Sequence, residues 1–194
     1  MQVHGRISAD EPLLVVALEL EAAALHSLGL PVLVTGAGKV NAAVAVATVV
    51  HTARPRELIN LGTAGALKDH IAGTHVVSSV IEHDVDDAAI HAIAEVHCSL
   101  PIHLTREGAI LATGDRFISS PQDRALLAVV ADIVDMEGYA IAKAAAHAGI
   151  GLTMVKHVSD RADESASASW VDSVTHCSHE LADRKSTRLN SSHT

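Results

Sequence analysis

Short runs of β-branched residues alternate along this chain with longer stretches in which alanine and valine recur at helical spacing. Residues 13–18 (LLVVAL), 31–35 (PVLVT) and 57–61 (ELINL) read as buried strands. The stretch ELEAAALHSL at 19–28 is the helix or turn after the first strand. A glycine turn follows the second and opens a helix over 40–53 that stops before Pro55. Residues 75–81, 108–113, 132–136 and 151–159 continue the strands, and 136–149 forms a second alanine-rich helix closed by Gly149. Strands interleaved with helices predict an α/β architecture in which a sheet is flanked by helices.

Length and composition bound this picture. A chain of 194 residues, 48% of them hydrophobic, buries one substantial core, so a single domain over 1–182 is expected. One last helix is expected after Trp170, and 183–194 (DRKSTRLNSSHT) reads as an aperiodic tail, disordered or non-native. A formal net charge of -9 offers no basic face to release counterions from nucleic acid or an anionic membrane, so neither is expected as a partner. Cys98 and Cys177 stand far apart and outside any C-x-x-C pair, which fits a reducing compartment. The polar start MQVHGRISADEP lacks a basic-then-apolar leader, and a cytoplasmic location follows as the expectation.

No cofactor or metal is expected. The 14 histidines include no H-E-x-x-H, and His91, His97 and His103 recur every six residues, a poor match to one helix face or one strand face. His176, Cys177 and His179 form the best local cluster but lack a partner motif.

The turn TGAGKVNAA tempts a phosphate-loop reading. That loop needs glycine where Leu33 stands and a hydroxyl where Val40 stands. A dinucleotide fingerprint needs glycine where Asn41 stands. A tight strand-to-helix turn built on Gly36 and Gly38 is what remains.

Five further segments decide the function. TGAGKVNAA, INLGTAGAL, EHDVD, ILATGDRFIS, VDMEGYAIA and KHVSDRADES occur in this order, and together they resemble the nucleoside phosphorylase and nucleosidase family, in particular its methylthioadenosine/S-adenosylhomocysteine nucleosidases and short actinobacterial nucleosidases. The resemblance covers roughly residues 13–170. It implies one α/β domain around a mixed, partly barrel-like sheet, assembled as a homodimer, that hydrolyses the N-glycosidic bond of a purine nucleoside. The G-x-G-K turn is then a packing device close to the site, without phosphate of its own.

Cleaving a ribose–base bond requires protonation of the base, support for a cationic sugar ring and a nucleophile. By the resemblance, Asp160 protonates the purine, with Ser159 orienting it. Glu137 accepts hydrogen bonds from the ribose hydroxyls beside Met136 and Asp135. Glu21 orients the attacking water, with Glu19 as the alternative at that place. Thr63, Ala64 and Gly65 approach the sugar, Phe117 stacks on the purine, and the Ile118 backbone reads the base edge. Local chemistry supplies a plainer account of each: Asp160 as a cap, Glu137 as a first-turn carboxylate, Glu21 as a solvated charge, Phe117 as core.

Related phosphorylases carry arginines for phosphate; here Asn60 occupies one such place, and the early loop carries Glu19 and Glu21. Water is therefore the expected nucleophile, with a purine nucleoside phosphorylase and an inactive nucleoside-binding protein as the alternatives. The 5′-substituent stays open among methylthioadenosine, S-adenosylhomocysteine, 5′-deoxyadenosine, futalosine-like and unmodified purine nucleosides.

Overall fold

The computed structural model describes residues 1–23 and 25–162. Its strands are β1 (Gln2–His4), β2 (Leu13–Val16), β3 (Val32–Val34), β4 (Glu57–Ala66), β5 (Thr74–Glu82), β6 (Ile102–His103), β7 (Ala109–Thr113), β8 (Ile133–Asp135) and β9 (Gly151–Asp160). The helices are α1 (Glu19–Ala22), α2 (Lys39–Thr52), α3 (Asp87–Ala94), α4 (Pro121–Leu127) and α5 (Gly138–Ala148), with a single 3-10 turn at Leu25–Leu28.

All nine strands join one mixed sheet in the order β1-β3-β2-β4-β8-β7-β5-β6, and β9 bonds to both β4 and β5. That double pairing bends the path β4–β8–β7–β5–β9 back onto β4 and closes it as a ring, while β2, β3 and β1 continue outward as an open wing. The expected partly barrel-like sheet flanked by helices is thus the fold observed. β4 runs parallel to β9 from Glu57 to Gly65 and antiparallel to β8 at Gly65 and Ala66.

The packing explains why these segments adopt these elements. Every residue of β2 and β3 is buried, as continuous apolar runs covered on both faces require, and β8 is buried as well although it ends on Asp135. α2 lays Ala42, Ala45, Val46, Val49 and Val50 on the sheet, where they meet Ala140, Ile141 and Ala145 of α5. On the opposite face, Ala22 and Leu25 seal Leu14, Val16, Ile59 and Leu61. α5 ends at Gly149 in the left-handed region, φ 64°, as the sequence anticipates.

Four elements escape the hydrophobic pattern. β1 and β6 are too short to show alternation, and α3 and α4 bury no residue, so neither prints an apolar stripe. Both helices are instead started by side-chain caps, Asp86 accepting from the Ala89 N–H and Ser120 from the Asp123 N–H. The strand expected at 57–61 also runs on to Ala66, because GTAGA pairs with β9 and β8 rather than turning. The expected helix after Trp170, the cluster at His176, Cys177 and His179, the boundary at 182 and the tail 183–194 lie outside the described residues. Among the described residues, no helix is long and apolar enough to cross a membrane.

Candidate active site

The ends of β2, β4, β8 and β9, the start of α2 and the loop after β7 surround a cavity of about 370 Å3. Glu21, Thr63, Ala64, Gly65, Phe117, Ile118, Asp135, Met136, Glu137, Ser159 and Asp160 all line it. Every site residue singled out from the sequence is therefore brought to one place. Glu19 is not: its carboxylate reaches outward to His4 Nε2 at 3.0 Å with 46% of its side chain exposed. Burial thus separates the two glutamates, leaving Glu21 as the one that faces the cavity.

Glu21 is 4% exposed and held from two sides. Its Oε2 accepts the N–H groups of Ala17 and Leu18 at 3.0 and 3.1 Å, and its Oε1 accepts the Thr63 N–H at 3.1 Å. Helix α1 is only one turn long; its function is to turn the chain after β2 so that Glu21 folds back over the strand end. Gly62 leaves the space beneath, since a Cβ there would sit 3.3 Å from both Glu21 Oε1 and Lys156 Nζ.

Glu137 is the N-cap residue of α5, yet its side chain makes no cap bond to that helix. Its Oε1 instead accepts the Gly38 N–H of α2 at 2.8 Å. The local first-turn account fails on this geometry. Gly38, with φ 90°, is a backbone conformation open to glycine, and it aims the amide across the cavity wall. Burial, reinforced by the Asp135 carboxylate, pushes the Glu137 carboxyl up to about 7, against the pull of Lys156 and the Gly38 amide.

Asp160 owes its position to an irregularity. Along β4 and β9 the register shifts between Ala64 and Gly65, so Ala64 faces Val158 and Gly65 faces Asp160, with Ser159 as the extra residue. Such a bulge re-aims the side chain that follows it. Asp160 Oδ2 accepts the Ser159 hydroxyl at 2.8 Å, and Oδ1 accepts the Ala162 N–H at 2.8 Å. The second bond is a local contact two residues on, and it coexists with a carboxyl bordering the cavity; the helix that an Asp160 cap would start lies outside the described residues.

Asp135 plays a different part from its neighbours. Oδ1 accepts the Thr113 hydroxyl at 2.6 Å, both oxygens accept the Gly138 N–H, and Oδ2 meets Lys156 Nζ at 2.9 Å. Burial alone would lower the Lys156 ammonium, but Asp135, Glu137 and Glu21 outweigh it and hold the group above its ordinary range. The site thus contains a buried cation that the sequence reading passed over. Its signal was there: a lysine following the apolar Met154 and Val155 inside a strand, a position where a buried Lys survives only when paired.

Phe117 is 42% exposed and belongs to no core cluster, so it is not the ordinary core aromatic the plainer account requires. Ile118 beside it is buried against Ala131 and Val134 and anchors the loop. Among the described residues, no group of three or more His, Cys, Asp or Glu side chains is disposed to hold a metal ion. His91 and His97 stack on one another with ring centroids 3.9 Å apart, away from the cavity lining.

The sequence profile of the phosphorylase superfamily matches residues 23–105 and 80–189. A 5′-methylthioadenosine/S-adenosylhomocysteine nucleosidase of Shewanella halifaxensis is 26% identical, over 90% of this chain and 88% of its own length. One of Exiguobacterium sp. is 30% identical, over 75% of this chain and 73% of its own. Among solved structures, the Helicobacter pylori 5′-methylthioadenosine/S-adenosylhomocysteine nucleosidase superposes with a TM-score of 0.81 at 19% identity, covering 95% of this chain and 99% of that one. The native futalosine hydrolase of Helicobacter pylori gives 0.83 at 18% identity, covering 94% and 98%. At such identities these two structures speak to the fold alone.

Proposed function

This chain belongs to the phosphorylase superfamily, and from that premise we propose that it is an N-glycosyl hydrolase that releases the base from a purine nucleoside of the methylthioadenosine/S-adenosylhomocysteine type. One observation carries the reading: Glu21, Glu137 and Asp160, drawn from three separate elements, border a single cavity of about 370 Å3. Three acidic side chains around one apolar-walled space is an arrangement that folding stability alone does not favour.

In this mechanism the purine lies against Phe117, with its edge along the Ile118 backbone. Asp160, oriented by Ser159, gives its proton to N7, so the base departs without negative charge. Ionised Glu137 accepts hydrogen bonds from the ribose hydroxyls and supports the positive charge growing on the ring. Glu21, fixed by three backbone N–H groups, accepts a hydrogen bond from the water that adds to the anomeric carbon. Water supplies the hydroxyl, the carbon–nitrogen bond breaks, and the products are a free base and a ribose derivative.

Local charge supports water over phosphate. Of the two cations among the cavity-lining residues, Lys156 is buried and already answered by Asp135, and Arg116 is 64% exposed and paired with Asp123 at 3.1 Å, while Glu21 and Glu137 add negative charge where a phosphate dianion would have to sit. Asn60, in the position of a phosphorylase arginine, donates its amide to the Val15 carbonyl at 2.9 Å and brings no charge.

A homodimer and a cytoplasmic location complete the proposal. Val40 and Val44, one turn apart on α2, are 72% and 61% exposed, and Leu126 and Val129 after the cavity loop are 72% and 81% exposed, which favours self-association. Sedimentation equilibrium tests this; a monomer at micromolar concentration removes the dimer.

The chemistry is tested by base release from methylthioadenosine in phosphate-free buffer and again with excess phosphate, followed by a panel of 5′-variants. Release without phosphate is expected. Strict dependence on phosphate would make the protein a phosphorylase, and adenine binding with no turnover of any nucleoside would make it a binding protein.

A further inference from the structure

Lys39 lies outside the cavity lining, yet it ties together three segments that build it. Its Nζ donates to Glu82 Oε1 at 2.7 Å and to Asp84 Oδ1 at 2.5 Å, at the end of β5. Its backbone N–H donates to Asp115 Oδ1 at 2.7 Å, in the loop after β7, and the Asp115 N–H donates in turn to Asp84 Oδ2 at 2.8 Å. Glu82 Oε2 accepts the Ser99 hydroxyl at 2.7 Å. The ammonium and both carboxylates are largely shielded, with side chains 16%, 14% and 26% exposed, so this network is screened less than a surface pair.

The residues on either side of this knot belong to the site. Gly38, immediately before Lys39, gives its N–H to Glu137, and Phe117 follows Asp115 by two residues. A Cβ on Gly38 would sit 3.2 Å from Asp115 Oδ1, which shows how closely the loop is drawn onto the start of α2. The exposed amides there, where a phosphate reading of the turn would place an anion, are taken by the protein's own carboxylates, Glu137 and Asp115.

We propose that Lys39 is a positioning residue for the reaction: by holding Glu82, Asp84 and Asp115 together it fixes the first turn of α2 against the 114–118 loop, and so keeps the Gly38 N–H on Glu137 and Phe117 at the cavity. This rests on the nucleosidase reading for its kinetic consequence, though not for its structural one. Without the ammonium, the Glu82 and Asp84 carboxylates are left unbalanced against each other, Asp84 is drawn off the Asp115 N–H, and the 114–118 loop loosens from α2. Glu137 then loses a hydrogen bond that favours its ionised form, and its titration moves upward. The other groups facing Glu137, namely Asp135, Lys156 and Glu21, are untouched by the change.

The test compares Lys39→Met and Lys39→Arg with the wild type in two assays. The Glu137 carboxyl is titrated by carbon-13 NMR in the unliganded protein, and KM and kcat for methylthioadenosine are measured against pH. Lys39→Met is expected to raise the Glu137 midpoint by about half a pH unit or more and KM about tenfold, and Lys39→Arg, whose fork meets two carboxylates, to restore both to within about threefold or a few tenths of a unit. A folded Lys39→Met with an unmoved midpoint and an unmoved KM overturns the proposal, as does an arginine variant no better than methionine. Should Lys39→Met fail to fold, Asp115→Asn is expected to shift the midpoint the same way by a smaller amount, and an unmoved midpoint there overturns it equally. A wild type that releases no base defeats the nucleosidase reading alone, because the NMR titration still decides the role of Lys39.

Discussion

Nζ of Lys156 lies 2.9 Å from Oδ2 of Asp135, with only 3% and 2% of the two side chains exposed. An ion pair this deep gives little net stability over an apolar pair of the same shape, because both charges must leave water. Its presence makes sense as electrostatics: a fixed positive charge beneath Glu21 and Glu137 lets carboxylates crowd one cavity. Asp135 holds that charge in place while itself tied to Thr113 and Gly138.

Breaking this pair from one side should therefore cost far more than removing both charges. Lys156→Met is expected to lose about 3–5 kcal/mol in urea unfolding at pH 7, and Lys156→Met with Asp135→Asn to recover at least half of that. Activity should stay low in both. A double variant no more stable than the single one would show that the ion pair is not the source of the loss.

On the proposed chemistry, Glu137 links activity and stability to pH with opposite signs. Its carboxyl is raised from 4.5 to about 7, so the folded state holds the proton that the unfolded chain releases. The stabilising contribution is full below about pH 4.5 and is lost as pH rises through about 7, to an extent on the order of 3 kcal/mol. Glu137→Gln removes the titration, and its urea midpoint should exceed the wild type at pH 8 and fall back toward it at pH 5. Base release by the wild type should decline below pH 7, and the variant should lose about a hundredfold or more in kcat. Equal stability differences at both pH values would remove the linkage.

Asp160→Asn takes away the proposed proton donor while keeping an oxygen for the Ala162 N–H. A fall in kcat of about 10²–10⁴ is expected, with adenine affinity within a few-fold of wild type by calorimetry. Ser159→Ala should lose about tenfold, since it only orients that acid. Near-normal turnover by Asp160→Asn would take residue 160 out of the chemistry.

At Gly62 a single added methyl group tests the cavity floor. Its added Cβ would meet Glu21 Oε1 and Lys156 Nζ, each at 3.3 Å. The glutamate is pinned by amides and the lysine by Asp135, so neither gives way without disturbing the site. Gly62→Ala should lower kcat about tenfold while costing about 1–2 kcal/mol of stability. Loss of stability with unchanged kcat would separate this floor from catalysis.

The hydrophobic pattern revealed those parts of the fold that carry their own signal. α2 and α5 stand out because alanine and valine recur on a single buried face, and β2 and β3 because both of their faces are covered. Ring closure was invisible to that pattern, because it depends on β9 meeting both β4 and β5, strands that lie far before it in the chain. The site residues came from short ordered segments rather than from periodicity, and the structure gathers them around one cavity. Two facts needed three dimensions. Glu21 and Glu19 look alike in sequence and differ only in burial, and Lys156 matters only because Asp135, twenty-one residues earlier by chain, arrives beside it.

β9 is the closing strand of the ring, and Asp160 is its final residue. In the proposed mechanism, a chain whose β9 has not docked lacks the acid that protonates the purine. On the proposed chemistry, competence arrives all at once, with the most non-local contact the sheet makes. Intermediates with an open ring are therefore catalytically silent, and enzyme activity during refolding should report the docking of this one strand rather than the average progress of the chain.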